Sequence, residues 1–224
     1  MTTLLFTHQA CLEHDTGQFH PESQDRLQRV LDNLAKPEFA GLVRRQAPRA
    51  EHGQLARVHN GEYIASVFAK VPESGRAEVE GSGTVMSPAS GEAALRAAGA
   101  VCAAVDAVTA GEADNAFCAV RPPGHHAEAS RMLGFCLFNN VAVGAIHAQM
   151  GRGHRRVAVI DFDVHHGNGT QAIFESRENL FFASTHQSFL FPNTGRADEN
   201  DIPNIVNVSL ARGWGGKEFR RLFA

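Results

Sequence analysis

With 224 residues, 43% hydrophobic and 20% charged, the chain is long enough to bury a substantial core and reads as one domain over 1–224. Its net charge of -3 and scattered Lys and Arg residues give no basic field for gripping phosphates, so direct nucleic-acid binding is not expected. The four cysteines, Cys11, Cys102, Cys118 and Cys136, form no CxxC pair, and no segment reads as a signal peptide or membrane span, so a soluble protein of the reducing cytoplasm is expected.

Along the chain, TLLFTH (3–8) reads as a first buried strand. PESQDRLQRVLDNL then reads as a helix with Pro21 near its first turn and Leu27, Val30, Leu31 and Leu34 at helical spacing. Residues 52–70 give one or two short helices, 73–91 is polar and Gly-rich, and the Ala- and Gly-rich run up to residue 111 reads as a long, tightly packed helix. AFCAV (116–120) is a short strand ending in the loop RPPGHH, and a helix follows near 138–150. RRVAVIDFDVHH reads as a central strand buried on both faces, and LFFAST (180–185) and IVNVSL (205–210) repeat the pattern. Strands alternating with helices predict an α/β fold with a parallel sheet flanked by helices, with ligands bound at the carboxyl ends of the strands.

Two motifs fall at such ends. If the strand continues through DFDVHH, Asp161, Asp163 and His165 emerge on one face, with Phe162 and Val164 on the other. Two carboxylates and an imidazole side by side would repel and resist burial without a cation, and their donor atoms suit zinc or another first-row divalent ion. An isolated DxH is more often a set of separately hydrogen-bonded loop residues; the context argues otherwise. In RPPGHHA, His125 and His126 follow a Pro-Gly turn that aims side chains away from the sheet, which makes them candidate proton-transfer groups beside a metal. His166 faces away from the ligands, and His14, His20, His59 and His186 read as packing or loop-capping residues, as does the only tyrosine, Tyr63.

In order and spacing, HPESQDRL, LARVHNGEYI, RPPGHHA, GFCLFNNVAV, VAVIDFDVHHGNGTQ and STHQSFLFPNTG together resemble the histone deacetylase superfamily over nearly the whole chain. HHGNGTQ is similar to the class II branch and its bacterial relatives, which include acetylpolyamine amidohydrolases and acetoin-utilisation proteins. The resemblance implies a three-layer arginase/deacetylase fold and zinc-dependent removal of an acetyl group from acetyl-lysine or an acetylated polyamine. It implies Asp163 and His165 as zinc ligands, with zinc replaced by ferrous iron in some cells, and Asp161 as the partner of His125. His126 becomes the general base, with Asn168 orienting its ring. It also implies a potassium ion held by side chains of Asp161 and Ser184 and backbone oxygens of Asp163, His165 and Thr185. Gly134, Phe135 and Phe191 match the walls of an acyl-lysine tunnel, and Arg26 and Cys136 match an internal channel for the acetate product.

The sequence departs from the family pattern in two places. A third zinc ligand is expected on a later strand, in a segment like AGFDAH, and a tyrosine donor in a later GGY; neither occurs, so the last strands of the fold are expected to be missing and the chain to hold the front two-thirds of the domain. Asp198, Glu199 and Asp201, in a polar loop, are poor replacements. Gly83 stands where relatives tend to have an aspartate before the residue corresponding to Thr84, which would cost one anchor for the substrate's backbone amide. The rival expectation is a non-catalytic protein using the fold as a binding or oligomerisation module, an oligomer of this chain included. An arginase-type binuclear manganese site would need more Asp-rich motifs than these.

Overall fold

The computed structural model describes residues 1–196 and 201–223. The chain runs β1 (Thr3–Thr7), α1 (Ala10–Glu13), α2 (Gln24–Leu34), β2 (Leu42–Gln46), α3 (His52–Leu55), α4 (Gly61–Ala69), β3 (Ala77–Val79), β4 (Thr84–Met86), α5 (Ser90–Thr109), β5 (Asn115–Cys118), α6 (Asn140–Ile146), β6 (Val157–Asp161), α7 (Asn168–Phe174), β7 (Leu180–Gln187), β8 (Ile205–Leu210) and α8 (Gly216–Phe223). Helix α6 continues as a π-helical turn over His147–Gly151. No helix among the described residues is long and apolar enough to cross a membrane.

The strands form two three-stranded parallel sheets, ordered β2-β1-β5 and β6-β7-β8, and the β3-β4 hairpin. This is the α/β arrangement of parallel sheets with helices that the sequence predicts. The α5 helix packs against both sheets' cores because its buried side is built from small residues, including Ala94, Ala97, Ala98 and Ala100. A Cβ on Gly99 would come within 2.5 Å of Ala50 N, so only glycine lets α5 pack this closely on the Pro48–Ala50 backbone, where Ala50 N donates to Leu95 O at 2.9 Å. Phe138, Ile146, Phe174, Phe182 and Ile205 fill the larger core, and Leu4, Phe6 and Ala47 the core beneath β1. Each fully buried large apolar side chain there contributes roughly 1.5–3 kcal/mol.

Several sequence expectations are corrected. Helix α2 begins at Gln24, so Pro21 lies before it. Strands β2, β3 and β4 and helices α7 and α8 had no apolar pattern to announce them; β2 reads LVRRQ and is largely exposed. The strand over 157–165 is neither central nor buried on both faces. It ends at Asp161, pairs only with β7, and leaves Ile160 47%, Phe162 71% and Val164 50% exposed. Strands β5 and β6 each have one strand neighbour among the described residues, and between them runs a trough of 670 Å³ lined by Val101, Cys118, Val120, Ile160 and Phe162.

Such an apolar strand edge is a ready template for pairing with another chain. Residues 1–224 are therefore expected to self-associate, with Phe162→Lys shifting sedimentation toward the monomer. Monomeric wild-type protein with no exposed-surface dye binding would count against this.

His14 and His59 are buried and neutral, each with its pKa pushed down from 6.5 to about 4 by burial, which for His14 outweighs the opposing Glu22 carboxylate. Unfolded, both titrate near 6.5, so between pH 6.5 and 4 the unfolded chain binds more protons and stability rises with pH. Each ring accounts for about 3 kcal/mol, fully present above that window and lost as pH falls through it. Urea denaturation is expected to show a midpoint that drops steadily from pH 7 to 4.5; a flat profile would contradict it.

Candidate functional site

The loop between β5 and α6 is fixed at nearly every residue. Arg121 is 3% exposed; its Nε donates to Glu22 Oε1 at 2.5 Å and its Nη2 to Oε2 at 2.7 Å. Arg121 Nη1 donates to the carbonyls of Cys11 (2.9 Å) and His14 (3.0 Å), so the guanidinium fork binds this loop to the segment before α2. Asn140 Nδ2 donates to Pro122 O at 3.0 Å, Thr170 N to His125 O at 3.1 Å, and Asn139 Nδ2 to Ala127 O at 3.0 Å. Asn139 also caps α6, accepting from Ala142 N at 3.0 Å. The two histidines that follow have little freedom.

The second half of the site starts where β6 stops. Beyond Asp161 the backbone bends, and the strand alternation expected from the sequence is replaced by two successive side-chain turns: Asp163 N donates to Asp161 Oδ1 at 3.0 Å, and His165 N to Asp163 Oδ1 at 2.8 Å. Each turn spans two residues, so Asp161, Asp163 and His165 still follow one another along the site. His165 Nδ1 and Asp163 Oδ1 lie 3.1 Å apart, with both side chains partly exposed.

The two halves meet through the adjacent imidazoles, whose ring centroids are 3.9 Å apart. His125 Nδ1 bonds Asp161 Oδ2 at 2.8 Å, and His126 Nδ1 bonds Asn168 Oδ1 at 2.8 Å. Burial alone would lower the pKa of His125, yet the Asp161 carboxylate, helped by Asp163, outweighs it and the pKa is raised. Burial likewise opposes ionisation of Asp161, but His125 holds its pKa below the usual carboxylate value. His126 is pushed down to about 3, by burial first and then by the charge of His125; the Asn168 hydrogen bond opposes this, and His165 adds a smaller push downward. One ring is thus poised to hold a proton and its neighbour is neutral near pH 7.

His125, His126, Asp163 and His165 line a cavity of 580 Å³ together with Pro21, Glu22, Arg26, Ser82, Gly83, Gly134, Phe135 and Phe191. Phe191 stands edge-on to His126 at 5.0 Å and Phe135 edge-on to His20 at 4.6 Å, so His20, read from the sequence as a packing residue, supports a cavity wall. A Cβ on Gly134 would overlap the His126 ring and come within 2.8 Å of Phe191, so this position must be glycine for the wall to close on the imidazole. Arg26 lies on the rim with an exposed side chain, whereas Cys136 is fully buried behind the wall, donating to Gly134 O at 3.3 Å. Burial raises the Cys136 pKa. Ser184 is buried opposite Asp161 in the β6–β7 register, its hydroxyl 2.9 Å from His186 Nδ1, and the adjacent Thr185 hydroxyl is buried without a hydrogen-bond partner among the described residues.

Among the described residues no three His, Cys, Asp or Glu side chains gather as a metal site. Asp163 and His165 supply a carboxylate and an imidazole of the right chemistry for zinc, one donor short of the three protein ligands usual in catalytic sites. Asp201 is exposed and lies off the cavity wall; Asp198 and Glu199 lie outside the described residues. Tyr63 is buried, its hydroxyl donating to Leu137 O at 2.5 Å, a packing role as expected. The sequence did not reveal Glu22, Arg121 or Glu128. Their partners are 99 and 40 residues away, and the only available sign was an Arg and a Glu flanking PPGHHA.

Glu22→Ala is expected to leave the buried Arg121 charge uncompensated and to cost about 3–5 kcal/mol, with Glu22→Gln costing less because it keeps a hydrogen-bonding oxygen. Urea denaturation of the two variants measures this, and a loss below about 1 kcal/mol in Glu22→Ala would show that water or another group replaces the carboxylate.

The family model described as histone deacetylase domain matches residues 20–224. An uncharacterised protein of Synechocystis is 38% identical over 217 residues, covering 95% of this chain and 70% of its own length. The histone deacetylase-like amidohydrolase of Pseudomonas aeruginosa is 44% identical over 201 residues, covering 87% of this chain, which spans only 52% of that protein. The crystal structure of the HDA15 HD domain superposes with a TM-score of 0.87 at 32% identity, over 93% of this chain and 61% of that one. The fold is of the arginase/deacetylase type, like that of the matched structure, and the chain belongs to the histone deacetylase family.

Proposed function

We propose that this chain carries the reaction centre of a zinc-dependent amidohydrolase that removes acetyl groups from acetyl-lysine or from an acetylated small amine such as a polyamine. The observation that carries the reading is the division of labour between two touching imidazoles, one raised by Asp161 and one held neutral beside Asn168, at one end of a cavity that also holds Asp163 and His165. Membership of the family supports the amidohydrolase class. A bound zinc or ferrous ion would polarise the amide carbonyl and acidify the attacking water, with Asp163 and His165 as its ligands from this chain.

The chain's own residues do the rest. His126, neutral near pH 7, takes the proton of the attacking water and passes it to the leaving amine. His125, tied to Asp161, stays protonated over more of the pH range and faces developing negative charge. Phe135 and Phe191 enclose an aliphatic stem, and Arg26 offers a cation to the carboxylate product. Cys136 backs the wall from within. A potassium ion is proposed on the side chains of Asp161 and Ser184 with backbone oxygens of Asp163, His165 and Thr185; there it would compensate the Asp161 charge. Four free cysteines support a reducing compartment, and the cytoplasm is the proposed location.

A second reading is favoured by one observation, the two-donor metal set: a non-catalytic module that keeps the fold for binding or self-assembly. Zinc content and turnover of a fluorogenic acetyl-lysine peptide and of acetylated polyamines separate the two. On the catalytic reading, His126→Ala lowers kcat roughly 10²–10⁴-fold with zinc content unchanged. Asp163→Ala and His165→Ala lose zinc. Near-normal turnover in His126→Ala removes the base assignment, stoichiometric zinc in either ligand variant places the metal elsewhere, and absence of both zinc and turnover from the wild type favours the module.

A further inference from the structure

The neutral partner of His126 does not stand alone. Asn168, the first residue of α7, accepts from His126 Nδ1 with Oδ1 at 2.8 Å, and its Nδ2 donates to Glu128 Oε1 at 3.0 Å and less closely to His126 O at 3.5 Å. Glu128 is only half-buried, is absent from the cavity wall, and is itself fixed by its backbone N–H on Arg131 O at 3.0 Å. It lies two residues beyond His126, so one short segment supplies both the imidazole and the carboxylate that grip the Asn168 amide from its two ends.

An asparagine side chain offers an acceptor at one end and a donor at the other, and either end can face an imidazole nitrogen. If the oxygen faces Nδ1, that nitrogen must carry the proton and Nε2 keeps its lone pair. If the NH₂ faces Nδ1, the proton sits on Nε2, and the nitrogen left for the cavity can only donate. Asn168 alone does not choose. An ionised carboxylate does, because it has no proton to give: it accepts from the NH₂ and repels the carbonyl oxygen.

We propose that Glu128 is a positioning residue that sets the orientation of the Asn168 amide and through it the tautomer of His126, holding the proton on Nδ1 and leaving Nε2 as an acceptor. The inference deepens the reading of His126 as a general base and rests on it for its catalytic consequence, but the tautomer itself can be observed without turnover. It also gives the carboxylate a role that a direct His–Asp pair would not need. Glu128 orients the ring through a neutral amide, so it holds the tautomer without a full negative charge against Nδ1 that would favour imidazolium.

The test is long-range ¹H–¹⁵N correlation of the His126 ring in metal-free protein labelled at histidine, at pH 8. Wild type is expected in the Nδ1–H tautomer. Glu128→Gln keeps an acceptor for Asn168 Nδ2 and should keep that tautomer. Glu128→Lys replaces the acceptor with a donor, which calls for the Asn168 oxygen and should invert His126 to Nε2–H. Glu128→Met, with neither, should give a mixture, and serves if the lysine variant does not fold; backbone amide spectra check the fold of each. An Nε2–H wild type, or a His126 tautomer unchanged in both Glu128→Lys and Glu128→Met, overturns the inference. In turnover assays Glu128→Lys is expected to lower kcat by roughly 10²-fold with KM nearly unchanged. An inverted tautomer with normal kcat would uphold the positioning role and sink the base role of His126 instead, so the two claims fail separately.

Discussion

The hydrogen bond between His125 Nδ1 and Asp161 Oδ2 joins two parts of the molecule that no strand pairing connects among the described residues. His125 follows β5, in the sheet β2-β1-β5; Asp161 ends β6, in the sheet β6-β7-β8. The site exists only where the carboxyl ends of these two sheets come close enough for that bond, and α5, packed on the cores of both, holds them there, with α6 on the larger core and the Asn139 and Asn140 side chains on the loop. Everything nearer the cavity inherits this constraint. The Arg121–Glu22 pair fixes the loop on one side, and the successive Asp161 and Asp163 turns fix it on the other.

How much could be read from the sequence follows from how local each interaction is. Strands β1, β5, β7 and β8 were legible because short apolar runs bounded by polar residues have few alternatives, and α5 because its alanines and glycines signal close packing. Strand β2 was not, since LVRRQ lies at a sheet edge where polar side chains are tolerated. VAVID misled in the other direction: its apolarity implied cover on both faces, yet Ile160 is 47% exposed because β6 borders the open trough. At the site, His125, His126, Asp161, Asp163 and His165 were legible because each motif is contiguous. Glu22, Arg121 and Glu128 were not, because a charged residue beside a motif looks like any solvated charge until its distant partner is known.

The same limit applies to the strand argument for the candidate metal ligands. Alternation along a strand placed Asp161, Asp163 and His165 on one face, but the strand stops at Asp161. Side-chain turns with a two-residue repeat take over, so the residues singled out from the sequence come together for a different physical reason. The difference matters for robustness. A strand would survive loss of either aspartate side chain, whereas here each aspartate folds the backbone that presents the next donor, and removing Asp163 unties the turn that places His165 as well as deleting a carboxylate.

Two imidazoles with centroids 3.9 Å apart cannot both be charged cheaply, since like charges at about 4 Å repel by about 4 kcal/mol at an effective dielectric near 20. Some asymmetry must therefore decide which ring carries the proton, and here it lies behind the rings. A carboxylate bonds one Nδ1 and a neutral amide bonds the other, so protonation is favoured at His125 and disfavoured at His126. Had Asn168 been an aspartate, each ring would have a carboxylate on its Nδ1 and this asymmetry would be lost. The orientation of that amide then becomes the remaining freedom in the dyad, and the Glu128 carboxylate beside its NH₂ removes it.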